Sequence, residues 1–198
     1  NQFKEAVSKL ITPRFDHTAT ILSDNKVLIA GGSDTAGPIS SLELYDPAAD
    51  AITSLSNTLS IPRSGHTATL LSDGRVLITG GIDTTGWSLS SAEIYDPKTQ
   101  SFTTISQGIT AARSNHTSTL MPDGRVIIIG GTNINNTTTL LNSAEVFNPS
   151  TETFTPLLGV LKKGRFGHTA TLLPDGKILV ALGAGYDYDE DDDDDDKD

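Results

Sequence analysis

The chain has 198 residues, 20% of them charged and 36% hydrophobic, the balance of an ordinary globular domain with one substantial core or two small ones. Its formal charge of −11 is concentrated in Asp187–Asp198, which holds ten acidic residues and one lysine, while the other 186 residues carry 13 basic and 15 acidic side chains; no basic face for nucleic acid is expected. The lack of cysteine excludes disulfides and thiolate metal sites, and no apolar run reaches the roughly 18 residues of a transmembrane segment.

The sequence begins at Asn1 with neither a methionine nor a signal-peptide pattern. That reads as a processed secreted protein or as a piece of a longer one, and the Ser/Thr/Gly/Asn-rich surface leans toward an extracellular or cell-surface location. Residues 1–13 align by position with Gln100–Ala112 and read as an outer strand belonging to a preceding unit.

From His17 onward the chain repeats itself. His17–Gly32 (HTATILSDNKVLIAGG), His66–Gly81 (HTATLLSDGRVLITGG), His116–Gly131 (HTSTLMPDGRVIIIGG) and His168–Gly183 (HTATLLPDGKILVALG) are four versions of one stretch. The offsets are 49 residues from His17 to His66, 50 from His66 to His116 and 52 from His116 to His168, a period that dictates architecture before any local motif does.

Each copy parses into four strands. HTATLL is the first. Asp24-Asn25, Asp73-Gly74, Asp123-Gly124 or Asp175-Gly176 then supplies the positive φ of a tight hairpin. The second strand is the apolar run VLIA, VLIT, VIII or ILVA, suited to burial on both faces. It ends at Gly31-Gly32, Gly80-Gly81 or Gly130-Gly131, where a side chain would obstruct a close backbone approach. After the variable loops 33–41, 82–90 and 132–143 comes a third strand, LELYDP, AEIYDP or AEVFNP. Its Asx-Pro pair turns the chain into a short fourth strand holding Ile52, Phe102 or Phe154. Arg14, Arg63, Arg113 and Arg165 stand three residues before each histidine.

Four short antiparallel strands per 50 residues with no helical pattern predict an all-β fold, a β-propeller. The Gly-Gly pair, Glu-x-Tyr/Phe and the aromatic of the fourth strand resemble the kelch repeat, and most of all the blades of bacterial kelch proteins and of galactose oxidase. The expected fold is therefore a kelch-type propeller of four-stranded blades at about 15–55, 64–105 and 114–155. An incomplete fourth blade at 166–183 would be shared with residues 1–10, the whole spanning 1–184, with an acidic tail at 185–198. The fourth copy departs from the pattern: Leu182 replaces the first glycine, and no Glu-x-Tyr follows. Closure between the termini would make Phe3–Val7 the outermost strand of that blade, with Gly185–Asp189 as a candidate third. The resemblance implies rings of six or seven blades, so a fragment and a half-ring completed by association are both open.

Several side chains are candidates for function. His17, His66, His116 and His168 invite a metal reading; but His66 shares a blade face with Ala68 and Leu70, which points instead to structural packing between blades with backbone partners. The four arginines lie on the same face as the variable loops, where they either grip carboxylates of a ligand or pair with Glu43, Glu93 and Glu145. The loops are the expected binding surface, with Trp87, Asp34, Asp83 and Asn133 as their unshared residues. In the tail, Asp187, Asp189, Glu190, Asp191, Asp192 and Asp193 cluster oxygen ligands of the kind Ca²⁺ takes, although no EF-hand loop is present; a solubilising tail, a linker stub or an expression tag is the plainer reading. Galactose oxidase uses copper and a cysteine-linked tyrosine. This chain has no cysteine, so that activity is not carried over. No nucleophile elbow, phosphate loop or zinc motif appears, and no other cofactor is expected. The expectation is a non-catalytic module recognising a protein or glycan. The alternatives are a subunit that forms homo-oligomers or filaments through incomplete blade edges with calcium on the tail, and a cryptic carbohydrate-active enzyme.

Overall fold

The computed structural model describes residues 8–157 and 160–185, and no helix occurs among them. The first repeat supplies β1 (Thr18–Ile21), β2 (Val27–Ala30), a two-residue ribbon of β3 (Ser33–Asp34) and β4 (Gly37–Pro38), then β5 (Leu42–Asp46) and β6 (Ala51–Ser54). The second supplies β7 (Thr67–Leu70), β8 (Val76–Thr79), β9 (Ala92–Asp96) and β10 (Ser101–Thr104). The third supplies β11 (Thr117–Leu120), β12 (Val126–Ile129), the ribbon β13 (Thr132–Asn133) and β14 (Thr139–Leu140), β15 (Ala144–Asn148) and β16 (Thr153–Leu157). These make three four-stranded antiparallel sheets, ordered β1-β2-β5-β6, β7-β8-β9-β10 and β11-β12-β15-β16. β17 (Thr169–Leu172) and β18 (Ile178–Ala181) pair as a two-stranded fourth.

The hairpin dipeptides do what their chemistry allows. Asn25, Gly74, Gly124 and Gly176 sit at φ between 67° and 88°. The preceding aspartate accepts the N–H two residues on, at 3.0–3.1 Å in all four turns, an Asx turn that fixes the register.

Blades stack face to face. Leu22, Leu28, Ala30, Leu42 and Leu59 of blade one pack on Val76, Ile78 and Tyr95 of blade two. Leu71, Leu77, Ala92, Ile94, Ile105 and Ile109 of blade two pack on Val126, Ile128 and Phe147 of blade three. The second strands are thus covered on both sides: all of β8 is buried. The alternation of strand side chains sends one set to each neighbour.

The glycine pairs are explained by the next blade. A Cβ on Gly31 would stand 2.6 Å from the Arg63 carbonyl and 2.8 Å from His66 Cε1, and one on Gly80 would stand 2.4 Å from the Arg113 carbonyl. No side chain fits there while the following blade is in place. Leu182 occupies the same position at φ 60° and is 80% exposed, because no blade follows it among the described residues.

The expected pairing of Phe3–Val7 with the fourth blade lies outside the described residues, as does all but Gly185 of the candidate third strand. Residues 8–14 lead onto blade one, where the Ile11 and Thr12 N–H groups bond the Glu43 carboxylate at 2.8 and 2.9 Å.

Candidate functional site

In an up-and-down blade the loop after the second strand and the link to the next blade emerge at the same end, opposite the first hairpin. Loops 33–41, 82–90 and 132–143 therefore share one face of the arc with the arginine-bearing links. Under that face lies a repeated clamp. Arg14 Nη2 bonds Glu43 at 2.6 Å, and Arg63 and Arg113 bond Glu93 and Glu145 at 2.9 Å. The pairing Ile29↔Glu43, Ile78↔Glu93 and Ile128↔Glu145 puts the three carboxylates in equivalent places. Each glutamate also accepts from the backbone of the link above it, from Ser60 in blade two and from Thr110 and Ala111 in blade three.

The clamp removes these arginines from the binding surface. The side chains of Arg14, Arg63 and Arg113 are 0% exposed, and their Nη1 atoms donate to the Gly31, Gly80 and Gly130 carbonyls at 2.8–2.9 Å. Burial pushes the Arg63 and Arg113 guanidinium groups down from their ordinary range, with the charge of Glu93 and Glu145 opposing it. The expectation of a guanidinium ring gripping ligand carboxylates is corrected at these three positions: every arm is engaged inside. Arg165 differs. Its Nη1 donates to the Leu182 carbonyl at 2.8 Å, but its Nε is buried without a hydrogen-bond partner.

His66, His116 and His168 are staples between blades. His66 Nε2 meets the Thr18 hydroxyl at 3.1 Å, His116 meets Thr67 at 2.9 Å, and His168 meets Thr117 at 3.0 Å. Where the blade-face position of these histidines predicts backbone partners, Nε2 takes the hydroxyl beside the preceding histidine instead. The His-Thr dipeptide recurring at every copy was the signal for it. Burial first, and then the charge of Arg63, pushes the His66 imidazole down to about 3. His116 and His168 are lowered for the same reasons, by burial and by Arg113 or Arg165. Among the described residues no three His, Cys, Asp or Glu side chains gather to hold a metal ion. The tail carboxylates Asp187, Asp189, Glu190, Asp191, Asp192 and Asp193 lie outside the described residues.

Asp34, Asp83 and Asn133 shape their loops. Asp34 Oδ1 accepts from Ala36 and Gly37 at 2.7 and 3.2 Å, and Asn133 Oδ1 accepts from Asn135 at 3.0 Å. Asp83 Oδ1 accepts from the Thr85 N–H and hydroxyl and from the Trp87 N–H at 2.6–3.1 Å. Burial works against that charge, but the Thr85 hydroxyl and the backbone donors of Trp87, Thr85 and Gly86 outweigh it and hold the carboxyl below the usual range.

The repeat pattern carries no sign of a lock that joins two of the loops. Ser88 N–H donates to Asn135 Oδ1 at 2.7 Å, and Asn135 Nδ2 returns to the Ser88 carbonyl at 3.0 Å. The Ile134 N–H donates to Ser88 Oγ at 3.2 Å, and that hydroxyl donates to the Thr132 carbonyl, also at 3.2 Å. Blades two and three thus present one joined platform. Trp87 stands on it, held at its own N–H and carbonyl by Asp83 yet 51% exposed. The opposite face offers an open groove lined by Asp24, Asp73, Arg75, Asp96 and Lys98, whose aspartates are engaged in their own turns.

The KLHDC2/KLHL20/DRC7 Kelch-repeats domain matches residues 4–183. Among solved structures, the structure of YjhT superposes with a TM-score of 0.75 at 16% identity over 88% of this chain, and the chain spans 60% of that protein's length. No curated protein matches.

Proposed function

The chain belongs to the kelch-repeat family, and from that premise we propose that it is a non-catalytic binding module that takes a protein partner on its loop face, with Trp87 as the anchor. Kelch propellers commonly serve as protein-binding scaffolds. The observation that carries the reading is the Ser88–Asn135 lock beneath an exposed indole. A half-exposed tryptophan on rigid backbone is the profile of an interface hot spot, and loops already fixed lose little entropy on binding. The buried clamp gives those loops a stiff base and leaves recognition to shape, aromatic contact and backbone polar groups.

The test is a selection of ligands from displayed peptides and small protein domains against the immobilised chain, run beside a glycan array. Protein ligands that lose at least about tenfold in affinity with Trp87→Ala and with Asn135→Ala, and nothing with Arg75→Ser on the opposite face, would support the reading. Ligands indifferent to Trp87, or a glycan that is turned over, would sink it.

A further inference from the structure

The three variable loops repeat one polar device. Ser33, Ile82 and Thr132 pair with Phe15, Ser64 and Ser114 as the chain enters each loop, so Asp34, Asp83 and Asn133 hold the same place in successive blades. Each turns its loop through Oδ1: Asp34 accepts from Ala36 and Gly37, Asp83 from Thr85 and Trp87, and Asn133 from Asn135. The turn uses one oxygen, so in blades one and two a second carboxylate oxygen and a negative charge are left over. Asp16 is exposed on the same face, where its carbonyl accepts the Gly65 N–H at 3.1 Å. Loops 33–41, 82–90 and 132–143 contain no lysine or arginine, and Arg14, Arg63 and Arg113 beneath them are enclosed with their glutamates. The opposite face is built differently. There the turn aspartates Asp73, Asp123 and Asp175 are each neutralised by the cation two residues on, Arg75, Arg125 or Lys177, at 2.7–2.8 Å.

Resting on the loop-face reading with Trp87 as anchor, we infer that the protein partner presents an arginine-bearing segment, with one guanidinium on the Trp87 indole beside the Asp83 carboxylate. The two residues are tied together: the Asp83 N–H donates to the Trp87 carbonyl at 3.0 Å, and Asp83 Oδ1 accepts the Trp87 N–H at 3.1 Å. A cation over an aromatic face is attracted by the ring quadrupole, and tryptophan is the strongest such partner. Guanidinium suits the place better than ammonium. It is planar, stacks on aromatic rings, is weakly hydrated and donates to carboxylates in a fixed fork. Asp34 in the next blade and Asp16 on the same face add to a potential that draws a basic segment in. An acidic segment is turned away by the same charges, because the nearest cations are already committed to Glu43, Glu93 and Glu145.

The probe is an acetylated, amidated peptide of alternating arginine and glycine, titrated into the full chain while the fluorescence of Trp87, its single tryptophan, is followed. A saturable change is expected. Replacing arginine by citrulline, which keeps the planar shape and loses the charge, should weaken binding at least about tenfold. The double variant Asp34→Asn, Asp83→Asn should do the same. Asparagine retains the Oδ1 acceptor that the turns need, as Asn133 does in blade three. Asp96→Asn, in a turn of the opposite face that Asn148 makes in blade three, should leave binding unchanged. Absence of a saturable change overturns the inference, and so does an equal response to the citrulline peptide. Binding that survives the double variant also overturns it, giving the peptide to the acidic stretch Asp187–Asp198 instead. A selected protein ligand that needs Trp87 but is indifferent to Asp34→Asn and Asp83→Asn overturns it while leaving the loop-face reading in place; ligands indifferent to Trp87 remove both.

Discussion

A guanidinium carried into the interior is tolerated only when every arm is engaged, and Arg63 meets that condition through Glu93, two carbonyls and a serine hydroxyl. Removing it leaves a buried carboxylate with no counter-charge. Arg63→Met should therefore cost about 3–5 kcal/mol in urea denaturation. Arg165→Met, which deprives no carboxylate among the described residues, should cost under about 1 kcal/mol. Equal losses would contradict the clamp. The histidines make a second prediction. His66 is lowered from 6.5 to about 3 in the fold, so between those values the unfolded chain binds the extra proton. Stability is fully present above 6.5 and is lost as pH falls toward about 3. His116 and His168 shift the same way. The unfolding free energy from urea denaturation should drop between about pH 7 and about pH 5, by on the order of 1–2 kcal/mol for His66 alone; a flat profile would contradict the buried, neutral staples.

At the scale of the element, the second strand and its terminal glycine decide whether a blade can be followed by another. Gly80→Ala forces a Cβ to 2.4 Å from the Arg113 carbonyl at φ 63°, and should lower stability by at least about 2 kcal/mol. Leu182→Gly relieves a left-handed leucine in open surroundings and should be neutral or stabilising by about 1 kcal/mol. Thermal melts of the two variants moving in the same direction would overturn this account of the pair. The strand order and the Asx turns were legible from the fifty-residue period, because the same apolar run and dipeptide had to serve every blade. The glutamate clamp was legible as one of two alternatives, since Arg and Glu recur at fixed places; sequence alone did not say whether the arginines faced inward. The Ser88–Asn135 lock was not legible. It joins two loops of unequal length that no period relates, and its donors are ordinary loop residues until the blades bring them together.

For the whole molecule, packing is uneven in a way that the repeat hides. Two blade interfaces are closed by full apolar clusters, while the outer faces leave Ile21 and Leu179 61% and 53% exposed. Stability in such arrays is a sum over neighbours, so β8, flanked by a blade on each side, should hold its amides longest. The joined loop platform sits over a closed apolar interface, between blades two and three, which is where a rigid recognition surface belongs. The central claim is that recognition happens there. The measurement that tests it most directly is hydrogen–deuterium exchange of the chain with and without a selected protein ligand. The account predicts slowed exchange in residues 82–90 and 132–137, with little change elsewhere. Slowing confined to the hairpins around Asp24, Asp73 and Asp123 on the opposite face, with the Trp87 loop unaffected, would contradict it.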